Sequence, residues 1–194
     1  MERRYILVLV LLGLFCNGCI YYDLYFNRNY YRPEQGASSR PILPHFRLAK
    51  PEPYRLKTED LIDTTVIYVR KYKILEEDEI YFLRFFGNGR VASGFLTKDS
   101  LSYNNIKRSV AGYYRMRSSM ELELQQFLAY SITHASYEYS RGIIRGDTIF
   151  MFSDPPKNKK LPEPFIKPKL PKEHSNCIFY IKRKVDTLTG TPDW

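Results

Sequence analysis

The feature that most restricts this chain is a repeated unit: a short β-branched or aromatic run, a glycine turn, then another such run. Glu79–Phe86 is rich in Tyr, Phe and Leu, and Gly87-Asn88-Gly89 follows it. Arg90–Thr97 then places Val91, Ser93 and Phe95 on one face. An Asn-Gly pair between apolar runs marks a hairpin, because both residues tolerate a positive φ. Thr64–Val69 precedes this unit as a β-branched and aromatic run, of the kind strands prefer. Val110–Met116 and Met120–Phe127 form a further hairpin, and Tyr137–Ile144 and Thr148–Phe152 another that turns at Arg145-Gly146-Asp147. In the run 120–127 Met120, Leu122 and Leu124 alternate with Glu121, Glu123 and Gln125, which fits a strand with one wet face. Residues 121–134 also contain good helix formers, so a helix competes there; the alternation favours strand in the first half.

Sequential antiparallel strands with one apolar face must bury it by closing on themselves or by pairing sheets. The expected fold is therefore mainly all-β, an antiparallel meander of about seven strands forming a small barrel, closed or incomplete. Glycines at 89 and 146 are expected at its tight turns.

Two stretches interrupt the pattern. Residues 155–171 contain six prolines, and between Pro155 and Lys172 stand Lys157, Lys159, Lys160, Lys167, Lys169 and Lys172 against Glu163 alone. Proline removes donors and fixes φ, so this segment (155–172) reads as an extended loop. Its net charge of +5 makes contact with an anionic surface the sharp reading, and a solvated loop the plain one. Cys177–Val185 returns as a last strand. At the other end, residues 19–57 read as a tether. Prolines stand at 33, 41, 44, 51 and 53, and no period of 2 or 3.6 persists. A flexible chain of this length reaches roughly 35 Å root-mean-square. Tyr21, Tyr22, Tyr25, Phe26, Tyr30 and Tyr31 crowd its first part; such residues favour a membrane–water interface, or pack against the domain. The β domain is expected over 58–194.

Residues 1–18 have the layout of a signal peptide. Arg3 and Arg4 are followed by an apolar run, Tyr5–Phe15, and then by Asn17-Gly18-Cys19. Eleven apolar residues are too few to span a bilayer, which needs about 20. An ordinary secretory site at Cys16-Asn17-Gly18 remains the other alternative. Gly18 before Cys19 makes the segment resemble a bacterial lipoprotein signal, although Cys16 stands where that pattern has Leu. The resemblance implies that Cys19 is lipidated and becomes the new N-terminus. Ile20, rather than Asp, then implies an outer-membrane address, with the protein facing the periplasm or the surface. Removal of residues 1–18 takes the formal charge from +9 to +8 and leaves Cys177 as the one free thiol. That cysteine is expected as a small apolar core residue.

The runs 81–91, 112–124 and 142–149 together resemble small bacterial lipoproteins with a lipocalin-like domain, over residues 61–154 and 177–185. The G-x-W of the lipocalins proper is missing, and Trp194 is the sole tryptophan. The resemblance implies a barrel fold and, faintly, a binding role.

Chemistry-bearing constellations are sparse. His45, His134 and His174 are scattered, and neither H-E-x-x-H nor G-x-S-x-G occurs. Cys177 has no spaced partner of zinc-site type. Glu121, Glu123 and Glu138 could supply paired carboxylates, but alternation reads more simply as a wet sheet face. Tyr and Phe together number 29. Most are strand and core residues; Tyr113, Tyr114, Arg115, Tyr137, Tyr139 and Arg141 are also candidates for stacking a glycan. Catalytic residues, metal ligands and cofactors are not expected, and nucleic acid is not an expected partner. The leading expectation is a non-enzymatic, membrane-anchored envelope lipoprotein with a structural or adaptor role, contacting an envelope protein. The alternative is a barrel that binds a small apolar ligand or lipid. Bulky residues taken as inward-facing (Phe82, Phe86, Phe95, Tyr114, Phe150, Phe152) favour a filled barrel and the first of these.

Overall fold

The computed structural model describes residues 30–74, 77–96, 101–131, 134–153 and 177–194. Two short strands, β1 (Tyr30–Tyr31) and β2 (Arg40–Pro41), pair with each other. Eight more follow: β3 (Ile67–Ile74), β4 (Glu77–Phe85), β5 (Arg90–Leu96), β6 (Val110–Met116), β7 (Glu121–Ala129), β8 (Ala135–Arg145), β9 (Thr148–Ser153) and β10 (Cys177–Arg183). These eight form one closed antiparallel barrel in which each strand pairs with its sequence neighbours, and β10 pairs with β3 to complete the ring. The seam is short, matching Ile181 with Val69, Lys182 with Tyr68 and Arg183 with Ile67. Residues 121–129 are strand throughout, so alternation prevails over helix propensity there.

The turns follow from backbone chemistry. The β4–β5 turn has the Gly89 amide donating to Phe86 O at 3.1 Å, with Gly89 at φ +77°. Gly146 opens the two-residue β8–β9 turn at φ +55°. Both positions favour a residue without Cβ.

Period-2 alternation sorts the strand residues into two faces. The inner set is a continuous cluster that includes Tyr68, Leu83, Phe85, Val91, Tyr114, Met116, Leu122, Leu124, Ile144, Ile149, Met151 and Tyr180. The inward assignment of Phe82, Phe86, Phe150 and Phe152 is corrected; the Phe86 ring lies on the outer face, 4.7 Å beneath the Arg84 guanidinium. Leu83 pairs with Ser93 and Met151 with Gly142 on the inside, which puts Phe82, Phe150 and Phe152 on the outside. A one-residue change of parity moves every side chain of a strand to the other face.

Residues 30–57 do not hang free as a tether; they lie along the barrel wall. Phe46 is 3% exposed, with its ring 4.9 Å from Tyr113 and 5.0 Å from Tyr137. Tyr30, Leu48 and Phe127 complete this outer cluster. The Gln125 side chain accepts from the Arg47 and Leu48 amides at 2.7 and 3.2 Å, and Arg115 donates to the carbonyls of Leu48, Lys50 and Glu52. This arm descends beside β6–β8 and then crosses one end of the barrel. There the Leu56 amide bonds to Gly87 O and the Leu61 amide to Ser119 O, while Ile62 and Val66 enter the inner cluster. The segment after β10 covers the opposite wall: Val185 and Leu188 pack on Ile67, Phe82 and Tyr103. The two meet where the Arg40 guanidinium lies 4.7 Å over the Trp194 ring and 3.6 Å from Asp193.

Candidate functional site

The two ends of the barrel differ. The end crossed by residues 54–66 is plugged. Tyr68, Leu83, Tyr114, Leu122 and Ile149 are fully buried there. A Cβ built on Gly112 would lie 2.9 Å from Val91 Cγ1, and one on Gly142 3.2 Å from Ile149 Cγ2. The inner face leaves no space even for a methyl group at those two points.

Midway along the lumen the lining turns polar. Ser93 is fully buried, 2.8 Å from the Tyr81 hydroxyl, and Gln126 Nε2 donates to the same Ser93 Oγ. Burial raises the Tyr81 hydroxyl above its ordinary value, outweighing the hydrogen bonds to Ser93 and Gln126. It therefore stays protonated across physiological pH and serves as a neutral donor or acceptor. Above this layer the described inward positions are less buried: Arg70, Glu79, Leu128, Ser136 and Ser140 are half-buried, Phe95 is 43% exposed, and Glu138 is exposed. Glu138 accepts from the Tyr130 hydroxyl at 2.6 Å and from Ser136 at 3.0 Å. Among the described residues this half of the lumen is lined by polar side chains together with Phe95 and Leu128, over a packed base.

A second concavity lies outside the barrel, where the arm meets the C-terminal segment. It is a cleft of about 250 Å³ lined by Tyr31, Arg40, Phe46, Tyr113, Asp193 and Trp194. Arg40 is 2% exposed and donates to Ser109 O at 2.9 Å and to Ile106 O at 3.1 Å. Burial lowers its pKa, with Asp193 acting in the opposite sense. Trp194 Nε1 donates to Gly112 O, and the Arg90 side chain donates to Trp194 O. The arrangement joins two covering segments to the wall. Nothing in the sequence flags Arg40, because it sits in a proline-flanked run without period.

The candidates named from sequence fall as follows. Cys19 and the six lysines (157, 159, 160, 167, 169 and 172) lie outside the described residues, as does His174. Their segment leaves β9 at Ser153 and enters β10 at Cys177, both opposite the plugged end. Cys177 is half-buried, and its thiol is pushed up by burial. Glu121 and Glu123 are brought near arginines rather than toward each other: Glu121 accepts from Arg141, and Glu123 from Arg117 and Tyr139. Glu138 faces the lumen instead. Tyr113, Arg115, Tyr137, Tyr139 and Arg141 lie on the outer wall, and Tyr113, Arg115 and Tyr137 hold the arm in place. Tyr114 is inside. Among the described residues no three His, Cys, Asp or Glu side chains gather as a metal site, and no helix is long and apolar enough to cross a membrane.

No protein-family model matches the chain, and no curated protein or solved structure matches it.

Proposed function

We propose that the chain is a non-enzymatic lipoprotein of the cell envelope, held at the outer membrane by a lipid on Cys19, and that it works as a structural or adaptor module through its surface. The observation that carries the second half of this reading is the packed base of the lumen beneath the Tyr81–Ser93–Gln126 layer. A barrel that stores a hydrocarbon ligand needs an apolar cavity with few polar groups; among the described residues the base is filled by side chains and the layer above it carries Tyr81, Ser93 and Gln126. The anchor half draws on the sequence of residues 1–19 and the lipoprotein resemblance. Replacing Cys19 by Ala tests it: the variant should leave the membrane fraction and lose the mass of the acyl chains. Fractionation with membranes at unchanged mass would end the anchor reading. A small apolar molecule retained in native mass spectrometry of the purified protein would replace the adaptor role with ligand binding.

The lysine-rich segment supplies the partner chemistry. Its attachment points stand opposite the plugged end, and clustered lysines near an anionic bilayer contribute about 1 kcal/mol each. Protein lacking Cys19 should bind anionic vesicles, and binding should fall at high salt and when Lys157, Lys159 and Lys160 are changed to Ser. Salt-insensitive binding, or none, would leave this segment as a solvated loop.

A further inference from the structure

We propose that the cleft between the arm and the C-terminal segment is a binding site for a single neutral pyranose ring. The site goes beyond the adaptor reading and does not depend on Cys19 carrying a lipid.

The cleft measures about 250 Å³ and is bordered by Tyr31, Phe46, Tyr113 and Trp194, with Arg40 and Asp193 beside them. Clefts that take drug-sized ligands begin at about 300 Å³, so this one suits one ring rather than a chain. Aromatic walls match the C–H face of a sugar, and a few polar groups among them match its hydroxyls.

One of those polar groups has no duty in the fold. Tyr113 is 7% exposed, with its ring 4.9 Å from Phe46. Its hydroxyl makes no hydrogen bond among the described residues, whereas those of Tyr114, Tyr137 and Tyr139 each have a partner. The buried side-chain atoms left without a partner are the Nε atoms of Arg40, Arg84, Arg115 and Arg141. The Tyr113 hydroxyl is not one of them, so solvent reaches it, and Tyr113 borders the cleft. A ring fixed by packing that presents a free hydroxyl is a preorganised donor and acceptor. Tyr31, 51% exposed, adds a second hydroxyl, and the Asp193 side chain, 41% exposed, adds an acceptor.

The charges select the ligand class. Arg40 and Asp193 stand 3.6 Å apart, so the lining carries no net charge. The Arg40 guanidinium donates to Ser109 O and Ile106 O and covers the Trp194 ring from 4.7 Å. An anion would meet Asp193 and find the Arg40 donors already engaged. A cation would meet Arg40 over the aromatic face that it needs. Either would lose hydration without gaining a partner of opposite charge. A neutral polyhydroxyl ring escapes both costs: it can donate to Asp193 and exchange hydrogen bonds with Tyr113 and Tyr31.

Trp194 is the sole tryptophan, so its fluorescence reports this cleft. The test titrates full-length protein in a polyoxyethylene detergent, which has no sugar headgroup to compete. The probes are the methyl glycosides of glucose, galactose, mannose and N-acetylglucosamine, with glucuronate, glucosamine and choline as charged counterparts. At least one neutral glycoside should change the emission saturably and bind at least about tenfold more tightly than every charged probe. Tyr113→Phe should weaken that binding about fivefold, the loss of one hydrogen bond, at an unchanged melting temperature. No saturable change with any neutral glycoside overturns the proposal, as does a charged probe that binds as well or better. Wild-type affinity in Tyr113→Phe overturns it too, and so does a lowered melting temperature, which would give the hydroxyl a structural role instead.

Discussion

Gly89 and Gly146 occupy similar turns and carry different burdens. Both have φ in the left-handed region, which L side chains adopt at a cost. At Gly146 a Cβ would meet nothing within 4 Å. Gly146→Ala should therefore cost about 1 kcal/mol, the backbone term alone. At Gly89 a Cβ would sit 2.6 Å from the Tyr54 amide nitrogen, because the arm crosses the turn there. Gly89→Ala must displace backbone as well as strain φ, and should cost roughly 3 kcal/mol or more by denaturant unfolding. Equal losses would mean that the arm does not press on the turn. Asp63 offers a charge-based check. Burial pushes its carboxyl up, but hydrogen bonds from Thr65 and the Lys182 ammonium outweigh that and hold it below the ordinary 3.8. A depressed folded pKa contributes stability that is present above the unfolded value and lost as pH falls through the folded one. Stability should decline below about pH 4, and Asp63→Asn should flatten that decline in pH-dependent melting. An unchanged acid limb in the variant would assign the loss to other groups.

At the level of elements, the arm is what departs most from the sequence reading. If residues 30–57 were a tether, a protease would cut them first. Phe46 instead fills a pocket between two tyrosine rings, and Phe46→Ala should cost about 3–5 kcal/mol and open residues 40–50 to limited proteolysis. Rapid cleavage of the wild-type arm would refute the packing. The strands were legible because alternation and glycine turns are local signals: Leu122 and Leu124 declare their face within five residues. The arm was not, because it is held by separated anchors, Phe46, Leu48 and Arg40, which need no period. The same packing explains the parity error. Phe82 and Leu83 are adjacent, both apolar and both buried, since the outer wall at β4 is itself covered by Tyr103, Val185 and Leu188. Alternation identifies the inside only where the outside is wet. The Tyr81–Ser93–Gln126 layer was missed for a related reason. The sequence puts Ser93 on one face with Val91 and Phe95, but Gln126 lies on a different strand, and only register brings both beside Tyr81.

For the whole molecule, the ring of eight strands encloses a packed base beneath the Tyr81–Ser93–Gln126 layer, while two peripheral segments lie against the outside. The closing pair also bears on how the chain reaches this state. Val69 and Ile181 are more than a hundred residues apart in sequence, yet the barrel has no seam until they meet. Until β10 is available, β3 and β9 both present open edges, a hazard for pairing with other chains. Local hairpins can form early, but ring closure waits on the contact of highest sequence separation. During synthesis from the N-terminus the barrel cannot finish folding until its final strand has emerged, so the β3 edge stays available to other chains for that whole interval.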